Sequence, residues 1–502
     1  MKSVLKKIGH HLSDISNDSR HIKKDSLFLA YPGINDDGRA YIEAAIKKGA
    51  KAILYEKKNF VWKKTWSTNH YAVAELKNKE GEIAHSFFKE PSKQMLTIGI
   101  TGTNGKTSCA HWAAEIQNLL GKKSGVIGTL GFGYKKLKPH SYTTPDAISN
   151  HRILRQFKNK KIESVVMEVS SHALSQGRVN GILFDVAVFT NLSRDHLDYH
   201  LNFRNYFNEK KKLFQFPSLK VAVINIDDPY GKKLITFLAK NETKVLSYGI
   251  KNGDIRATHI EYSNSHTYFQ ITYKKETYKV KAPVVGEFNV YNLLAVIASL
   301  IASGYSIQKI VKQISFISQV PGRMERLGSK NTPKIFIDYA HTPDALKKVL
   351  QTLKKQTDGN LICVFGCGGD RDNGKRKDMA EVASNIADIN FITSDNPRNE
   401  SPGKIVKEIS RYMEGHYRIE IDRHKAIQKA IKSAKKNDVI LKISNDSSYN
   451  KQTFSNNTFA ELYALANESQ KFNGSAVMQN AFYTTAGIIA VGVIFASLLL
   501  LF

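Results

Sequence analysis

Residues 99–107 combine glycines, a lysine and a threonine in an order that can bind phosphate. They read GITGTNGKT and lie between the apolar run 95–100 and the helix-like stretch 108–120. A strand, a glycine turn and a helix start direct their backbone N–H groups at the same oxygens, and the helix dipole favours an anion. Lys106 would reach the terminal phosphates and the Thr107 hydroxyl would bind Mg²⁺. The segment therefore predicts ATP binding.

This segment is a short form of the ordinary phosphate-binding loop. Ile100 stands where the longer pattern has its first glycine, so the match is Gly102-x-x-Gly105-Lys106-Thr107. The structural alternative is a glycine-rich turn that binds nothing. The flanking strand and helix favour the phosphate site. Its predicted ATP-binding residues are Gly102, Thr103, Asn104, Gly105, Lys106 and Thr107.

Two further side chains follow strand-like segments and could bind metal. Glu168 ends the run 164–169, which can lie beside the strand of the phosphate loop, so its carboxylate could share a cation with Thr107. His196 follows the run 185–189 and offers an imidazole to a second metal. Each residue alone is more often structural, but the shared position at strand ends favours a site.

Composition narrows the class of protein. The chain has 502 residues, which suggests about three domains. Its three cysteines have no disulfide or metal-ligand spacing, which predicts a cytoplasmic protein. The net charge of +29 comes from scattered lysines without a nucleic-acid-binding motif, so we predict no nucleic-acid partner.

The order of strand-like and helix-like segments predicts an α/β protein with three domains. Residues 1–92 form a small α/β unit, with strands predicted at 27–30 and 52–55 and a helix at 41–48. Residues 93–320 form a parallel sheet around the phosphate loop, with strands predicted at 164–169, 185–189 and 221–225. Residues 321–466 form a third, Rossmann-like unit, with strands predicted at 334–338, 361–365, 390–393 and 439–441. In α/β sheets, ligands bind at the carboxyl ends of the strands, where the polar motifs of this chain lie.

The last residues of the chain differ from the rest. No charged residue follows Lys471, and the segment 481–502 is apolar on every face and about as long as a bilayer is thick. A buried C-terminal helix is the alternative, but it would need apolar partners on all sides. We predict a linker at 467–480 and a transmembrane tail at 481–502 that anchors the enzyme to the inner face of the membrane.

The chain resembles the Mur ligases, the ATP-dependent amino-acid-adding enzymes of peptidoglycan synthesis. It is most similar to the branch that adds the third peptide residue, and the similarity runs from residue 18 to about residue 436. The resemblance rests on eight motifs in order: GTNGKT (102–107), TTPD (143–146), MEVSSHAL (167–174), TNLSRDHLDYH (190–200), GEFNVYN (286–292), DYAHTPDAL (338–346), GCGGDRDNGKR (366–376) and DNPR (395–398).

The resemblance implies roles that the residue pattern alone does not give. Lys210 looks like a solvated helix lysine, but the family carboxylates the matching lysine to a carbamate that binds Mg²⁺ with Thr107, Glu168 and His196. Lys106, Glu168, His196 and Lys210 would be catalytic. Asn292, Arg323 and Asp338 would contact ATP. The UDP-substrate would contact Ser19, Thr143, Thr144, Ser171, Gln176 and Arg178.

The implied reaction transfers the γ-phosphoryl group of ATP to a D-glutamyl carboxylate. The resulting acyl phosphate of UDP-N-acetylmuramoyl-L-alanyl-D-glutamate is then attacked by the amine of an incoming amino acid. Positive charge from Mg²⁺, Lys106 and the loop amides would stabilise the transfer. A monomeric enzyme is expected.

The identity of the amino acid depends on two segments that give different indications. Diaminopimelate-adding members have an arginine at the position of Arg398, and the loop Asp395, Asn396, Pro397 and Arg398 would bind meso-diaminopimelate. The same members have a Gly-Lys-Gly-His-Glu segment where this chain reads ISNDSS, residues 443–448. Two alternative functions remain: a ligase that adds a different amino acid to the same acceptor, and a catalytically weak membrane-tethered binding protein.

Overall fold

Three separate β-sheets, each covered by helices, make up the part of the chain that the structure describes. This computed structural model describes residues 12–33, 36–240, 242–263, 265–328 and 332–443, together with Leu5 and Ile8. The predicted linker and transmembrane tail, and residues 444–448, lie outside the described residues. Among the described helices, none combines the length and the apolar character that crossing a bilayer requires.

The first sheet has four parallel strands in the order β1-β2-β3-β4. Its strands are β1 (Ile15–Ser16), β2 (Leu27–Ala30), β3 (Ala52–Glu56) and β4 (Asn69–Val73). Its helices are α1 (Ile42–Lys47) and α2 (Leu76–Phe87), with 3-10 turns at Ser19–His21, Gly38–Tyr41 and Pro91–Gln94. The strands predicted at 27–30 and 52–55 and the helix predicted at 41–48 are confirmed within a residue or two at each end.

The second sheet has eleven strands around the phosphate loop. They are β5 (Leu96–Thr101), β6 (Ser124–Gly128), β7 (Gly131–Tyr134), β8 (Lys136–Lys138), β9 (Ser164–Glu168), β10 (Val186–Phe189), β11 (Val221–Asn225), β12 (Lys244–Gly249), β13 (Ile255–Tyr262), β14 (Thr267–Tyr273) and β15 (Glu276–Ala282). Their order is β15-β14-β13-β12-β11-β10-β5-β9-β6-β7-β8. The strands β5, β9 and β10 are therefore neighbours, as the sequence predicted for β5 and β9.

Helices cover both faces of this second sheet. They are α3 (Lys106–Leu119), α4 (Ala147–Asn159), α5 (Ser171–Ser175), α6 (Leu197–His200), α7 (Phe203–Lys211), α8 (Pro229–Leu238), α9 (Glu287–Ala302) and α10 (Ile307–Ile314), with a 3-10 turn at Lys212–Gln215. One apolar core lies between the sheet and helices α3 and α9, and another lies on the opposite face. Helix α3 begins at Lys106, two residues earlier than predicted, and Gly105, which precedes it, has a left-handed φ of 88°.

The prediction that the central sheet is parallel holds only for its middle. Strands β6 to β8 and β13 to β15 pair antiparallel at the two edges. Exposed and buried residues alternate along β13 to β15, so one face of this edge meets water. Antiparallel strands tolerate such one-sided exposure, whereas parallel strands are normally covered on both faces.

The third sheet has six strands in the order β16-β17-β21-β18-β19-β20, parallel except for β16. Its strands are β16 (Glu325–Leu327), β17 (Lys334–Asp338), β18 (Leu361–Phe365), β19 (Ile389–Ile392), β20 (Tyr417–Ile419) and β21 (Val439–Ile443). Its helices are α11 (Pro343–Lys354), α12 (Gly374–Ile386), α13 (Pro402–Ser410) and α14 (Arg423–Ser433). The strands predicted at 334–338 and 361–365 are confirmed, and those predicted at 390–393 and 439–441 are confirmed with shifted ends.

Candidate active site

The phosphate loop joins β5 to α3 and depends on two glycines that have no room for a side chain. Gly102 has a φ of 149°, and a Cβ there would collide with Thr190 Oγ1. Gly105 has a φ of 88°, and a Cβ there would collide with Asn292 Oδ1. The loop backbone can therefore lie against its neighbours and still present the N-terminus of a helix of 14 residues to an anion.

Lys106 folds back over this loop. Its Nζ donates hydrogen bonds to the carbonyl oxygens of Gly102, at 2.9 Å, and Thr103, at 2.8 Å. Loss of hydration lowers the pKa of Lys106, and nearby Glu168 opposes that effect. The amine thus lies against the backbone of the loop that the sequence predicts to bind phosphate.

Glu168 lies fully buried at the end of β9, directly beside the loop strand. Its Oε2 accepts a hydrogen bond from Thr107 Oγ1 at 2.9 Å, and its Oε1 accepts one from the Thr129 N–H at 2.7 Å. Arg323, from the segment that precedes β16, donates from Nη2 to the same Thr107 hydroxyl at 3.0 Å. A buried carboxylate and a hydroxyl are therefore hydrogen-bonded to each other at the end of the phosphate loop.

Lys210 is not a solvated helix lysine. It is 2% exposed on α7, and its Nζ donates to the Gly102 carbonyl oxygen at 2.7 Å. The Tyr206 ring centroid lies 4.4 Å from the same Nζ. Burial, followed by the nearby charge of Lys106, holds the pKa of Lys210 well below its usual value. The structure thus places the amine of this lysine behind the phosphate loop.

His196 and Asp195 lie on the other side of the loop, next to the third sheet. Asp195 is 2% exposed and contacts three basic side chains: His196 Nε2 at 3.3 Å, His341 Nε2 at 3.1 Å and Lys375 Nζ at 3.1 Å. Burial opposes ionisation, but these neighbours hold the pKa of Asp195 well below its usual value. Burial lowers the pKa of His196, although the Asp195 charge opposes that effect, and lowering favours the neutral imidazole that can bind a metal.

A second set of ion pairs connects the same two parts of the chain. Arg194 donates from Nε and Nη2 to Asp372 at 2.9 and 3.1 Å, and its Nη1 lies 3.4 Å from Asp378. Asp372 precedes α12, and Asp378 lies within it. Charge-assisted hydrogen bonds therefore fix the loop after β10 to the start of helix α12, which packs on the third sheet.

These elements border one cleft of about 970 Å³. Most predicted site residues line it: Thr103, Asn104, Gly105, Lys106, Thr107, Thr143, Glu168, Arg178, His196, Asn292, Arg323, Asp338 and Arg398.

Burial raises the pKa of Asp338 to about 6, and its Oδ2 accepts a hydrogen bond from the Met324 N–H at 2.8 Å. Arg323 lies with its Cζ 4.2 Å from the Tyr339 ring centroid.

Other predicted residues lie behind the cleft wall. Thr144 donates to the Glu168 carbonyl oxygen at 2.8 Å, and Ser171 Oγ pairs with His200 Nε2 at 2.9 Å. Gln176 Oε1 accepts a hydrogen bond from Arg178 Nε at 2.8 Å, so it orients that guanidinium. Ser19 lies apart from this cleft in a 3-10 turn of the first sheet, where its carbonyl oxygen accepts from Lys48 Nζ.

The predicted amino-acid loop contributes one side chain to the cleft. Arg398 lines it with a left-handed φ of 49°, and its Nη1 donates to the Gly369 carbonyl oxygen at 2.7 Å. Asn396 Oδ1 accepts from the Arg398 N–H at 3.3 Å, which braces the turn. Asp395, Asn396 and Pro397 do not line the cleft.

The cleft offers oxygen and nitrogen donors for a metal but no preassembled acidic cluster. Within the described ranges, no group of three or more His, Cys, Asp or Glu side chains has the arrangement of a metal site. The Thr107 hydroxyl, the Glu168 carboxylate and the His196 imidazole nevertheless face the same cleft. Oxygen-rich donors of this kind fit Mg²⁺ if bound phosphates or a modified lysine add further oxygens.

Sequence reasoning missed several residues of this site. Asp195, His341 and Lys375 form the buried charge cluster, and Arg194 and Asp372 form the ion pair beside it. All of them lie in the motifs TNLSRDHLDYH, DYAHTPDAL and GCGGDRDNGKR. The motifs were a signal, but which of their polar residues meet across the cleft depends on how two sheets pack together.

Comparison with known proteins agrees with this arrangement. Family models match the described parts in order: the Mur ligase family catalytic domain over residues 11–86, the Mur ligase middle domain over 100–300 and the Mur ligase glutamate ligase domain over 322–445. The chain belongs to the Mur ligase family.

Curated relatives and a solved structure are similar over most of their length. A UDP-N-acetylmuramoyl-L-alanyl-D-glutamate–2,6-diaminopimelate ligase of Chromobacterium violaceum is 41% identical over 444 residues, 88% of this chain and 90% of the relative. The ligase of the same name from Coxiella burnetii is 41% identical and covers 85% of this chain and 89% of its own. A solved structure of such a ligase has 34% identity and a TM-score of 0.66, and the match covers 87% of this chain and 90% of that one.

Proposed function

We propose that this protein is an ATP-dependent carbon–nitrogen ligase that adds meso-diaminopimelate to UDP-N-acetylmuramoyl-L-alanyl-D-glutamate in peptidoglycan synthesis. The supporting observation is the contact between Glu168 and Thr107 at the phosphate loop, in a cleft that also holds Arg178 and Arg398. The names of relatives that match most of the chain's length support the same substrates.

The first step activates the acceptor. The loop Gly102, Thr103, Asn104, Gly105, Lys106 and Thr107 would bind the ATP phosphates, with Asn292, Arg323 and Asp338 around the nucleotide. The γ-phosphoryl group passes to the D-glutamyl carboxylate, because a free carboxylate is a poor acyl donor and the acyl phosphate has a good leaving group. Lys106 would neutralise charge that develops on the transferred group.

The second step forms the peptide bond. The amine of the incoming amino acid attacks the acyl carbon, and phosphate leaves. Thr143 and Arg178 line the cleft and would contact the UDP-substrate, with Thr144, Ser171 and Gln176 as their support and Ser19 at the uridine end. The Arg398 guanidinium would bind the distal carboxylate of diaminopimelate, with Asp395, Asn396 and Pro397 shaping its loop.

Mg²⁺ would be held by Thr107, Glu168, His196 and a carboxylated Lys210. When bound, the metal supplies positive charge that stabilises the transferring phosphoryl group. The Lys210 amine is buried, and burial lowers its pKa, which favours the neutral amine that adds CO₂ to give a carbamate; both observations support this assignment. The carbamate would place an anionic oxygen ligand at the position of the lysine amine.

Phosphate release by purified full-length protein tests the function. The assay contains ATP, Mg²⁺, the acceptor and one candidate amino acid at a time. We expect release that depends strictly on diaminopimelate, together with formation of the tripeptide product. Release with another amino acid would change the assigned substrate, and no release with any amino acid would favour a binding protein of the same fold.

Removal of the Arg194 ion pair should uncouple the two steps. Because Arg194 joins the loop after β10 to Asp372 and Asp378, Arg194→Ala should loosen the contact between the second and third sheets. Water would then reach the acyl phosphate more often, and phosphate release should exceed tripeptide formation by several-fold. The loss of stability should be at most about 1 kcal/mol, because the pair is partly exposed.

The matched control for Arg194 is Lys377→Ala. It removes an exposed ion pair with Glu381 inside α12, 3.7 Å long, without touching the second sheet. Equal ratios of phosphate to tripeptide in Arg194→Ala, Lys377→Ala and the parent enzyme would contradict the coupling role.

The same proposal assigns three domains at residues 1–92, 93–320 and 321–466, and a linker and membrane tail at 467–480 and 481–502. The uncharged apolar sequence of 481–502 supports the tail. It would hold a cytoplasmic monomer at the inner face of the membrane. Full-length protein that stays entirely in the soluble fraction without detergent would contradict the anchor.

A further inference from the structure

A basic, aromatic loop follows β3 and takes no part in the cleft. Residues 57–67, hereafter the basic aromatic loop, read KKNFVWKKTWS. They contain four lysines and three large aromatic residues, and no acidic residue occurs from 57 to 74. The four lysines, Lys57, Lys58, Lys63 and Lys64, are all exposed.

The aromatic rings of this loop pack on one another and fix its shape. Trp62 stacks on His70 with centroids 3.9 Å apart, and it meets Trp66 edge-on at 5.0 Å. Phe60 lies 5.4 Å from Tyr55, and the cluster packs on one face of the first sheet. Val61, between two of these anchored residues, is 87% exposed. The loop therefore presents an apolar tip on a rigid base.

Arg39 and Glu56 brace the loop backbone: Glu56 Oε1 accepts a hydrogen bond from the Lys58 N–H at 3.2 Å, and the four lysines of the loop outnumber this one carboxylate. Arg39 donates from Nη1 to the carbonyl oxygens of Lys58, at 2.7 Å, and Glu56, at 3.3 Å, while Asp37 neutralises it. Glu43, which lies near Lys63 and Trp66, is paired with Lys47 at 2.9 Å. The lysines on either side of Val61 thus keep a net positive field around the tip.

We propose that the basic aromatic loop binds the surface of a bilayer that contains anionic phospholipid. Lysine ammonium groups match the negative headgroups, and Val61, which the packed aromatic rings hold at the tip of the loop, enters the boundary between headgroups and acyl chains. The contact would be independent of ligase chemistry, because the loop lies outside the cleft. It would also orient the first domain relative to the membrane.

A fluorophore at the tip tests this contact directly in the full-length protein. Cys109, Cys363 and Cys367 are all buried, so Val61→Cys adds a thiol that an environment-sensitive dye can label selectively. With vesicles containing phosphatidylglycerol, we expect a blue shift and a several-fold rise in emission. With pure phosphatidylcholine vesicles, we expect little change, and added salt should reverse the signal.

Two controls separate this loop from general attraction of a basic chain to lipid. The same dye at Phe316→Cys reports from a side chain 67% exposed on the second domain and should not respond. Replacement of Lys57, Lys58, Lys63 and Lys64 by serine should weaken the Val61 signal at least about tenfold in lipid titrations. Replacement of the exposed Lys123, Lys160, Lys161 and Lys309 by serine removes equal charge and should leave it within about twofold.

Three results would overturn the proposal. They are no response at position 61 to anionic vesicles, an equal response to phosphatidylcholine vesicles, and an equal loss in the two lysine variants. A C-terminal anchor would not change the comparison between the two kinds of vesicle, because it would tether the protein to both alike. Loss of ligase activity in any variant would not bear on it.

Discussion

Lys210→Ala should lower kcat by about 10²-fold or more while the protein stays folded. The substitution removes the side chain that would become a carbamate, and with it an anionic oxygen ligand behind the phosphate loop. It also removes the hydrogen bond from Nζ to the Gly102 carbonyl oxygen, 2.7 Å long. Steady-state phosphate release at saturating substrates measures the loss, and a short carboxylate in the buffer should restore part of it.

Lys212→Ala is the matched control for Lys210. Lys212 lies two residues further along the chain, is exposed, and pairs with Glu209 at 2.7 Å on the protein surface. Its substitution should leave kcat within about twofold, because a surface ion pair contributes little. Full activity in Lys210→Ala, or rescue that is equal in both variants, would mean that another residue is the carboxylated lysine.

Arg398→Ala should raise the KM for diaminopimelate by roughly 10²-fold and change the KM for ATP only slightly. A guanidinium in a cleft can bind a carboxylate with two parallel hydrogen bonds, and loss of such a charged pair costs about 3 kcal/mol. Both Michaelis constants can be measured by phosphate release while the other substrates are held saturating. Arg398→Lys should recover only part of the affinity, because an ammonium lacks the planar fork.

Arg411→Ala provides the comparison for Arg398. Arg411 is exposed on the same third domain, just after α13, and does not line the cleft. Its substitution should affect neither constant. Small and equal changes in both constants for Arg398→Ala would remove Arg398 from the amino-acid site and reopen the identity of the amino acid.

Local sequence patterns predicted many of the buried parallel strands of this protein, because parallel strands buried on both faces are continuous apolar runs. The runs at 164–169, 185–189 and 221–225 became β9, β10 and β11 with ends shifted by one residue at most. The glycine loop was also predictable, since its chemistry depends on adjacent residues. The antiparallel edges were not predicted, because pairing direction depends on which strand comes to lie alongside.

The sequence by itself determined the glycine loop, the strand end that bears Glu168, and the family resemblance that singles out Lys210. Only the tertiary structure decided that Lys210 is buried against Gly102 and that Asp195 forms ion pairs with His341 and Lys375. The physical reason is that burial and charge pairing arise between segments more than 100 residues apart. A pattern of neighbouring residues predicts the local structure and chemistry of a segment. Packing decides which charged groups are buried and with which partners they pair.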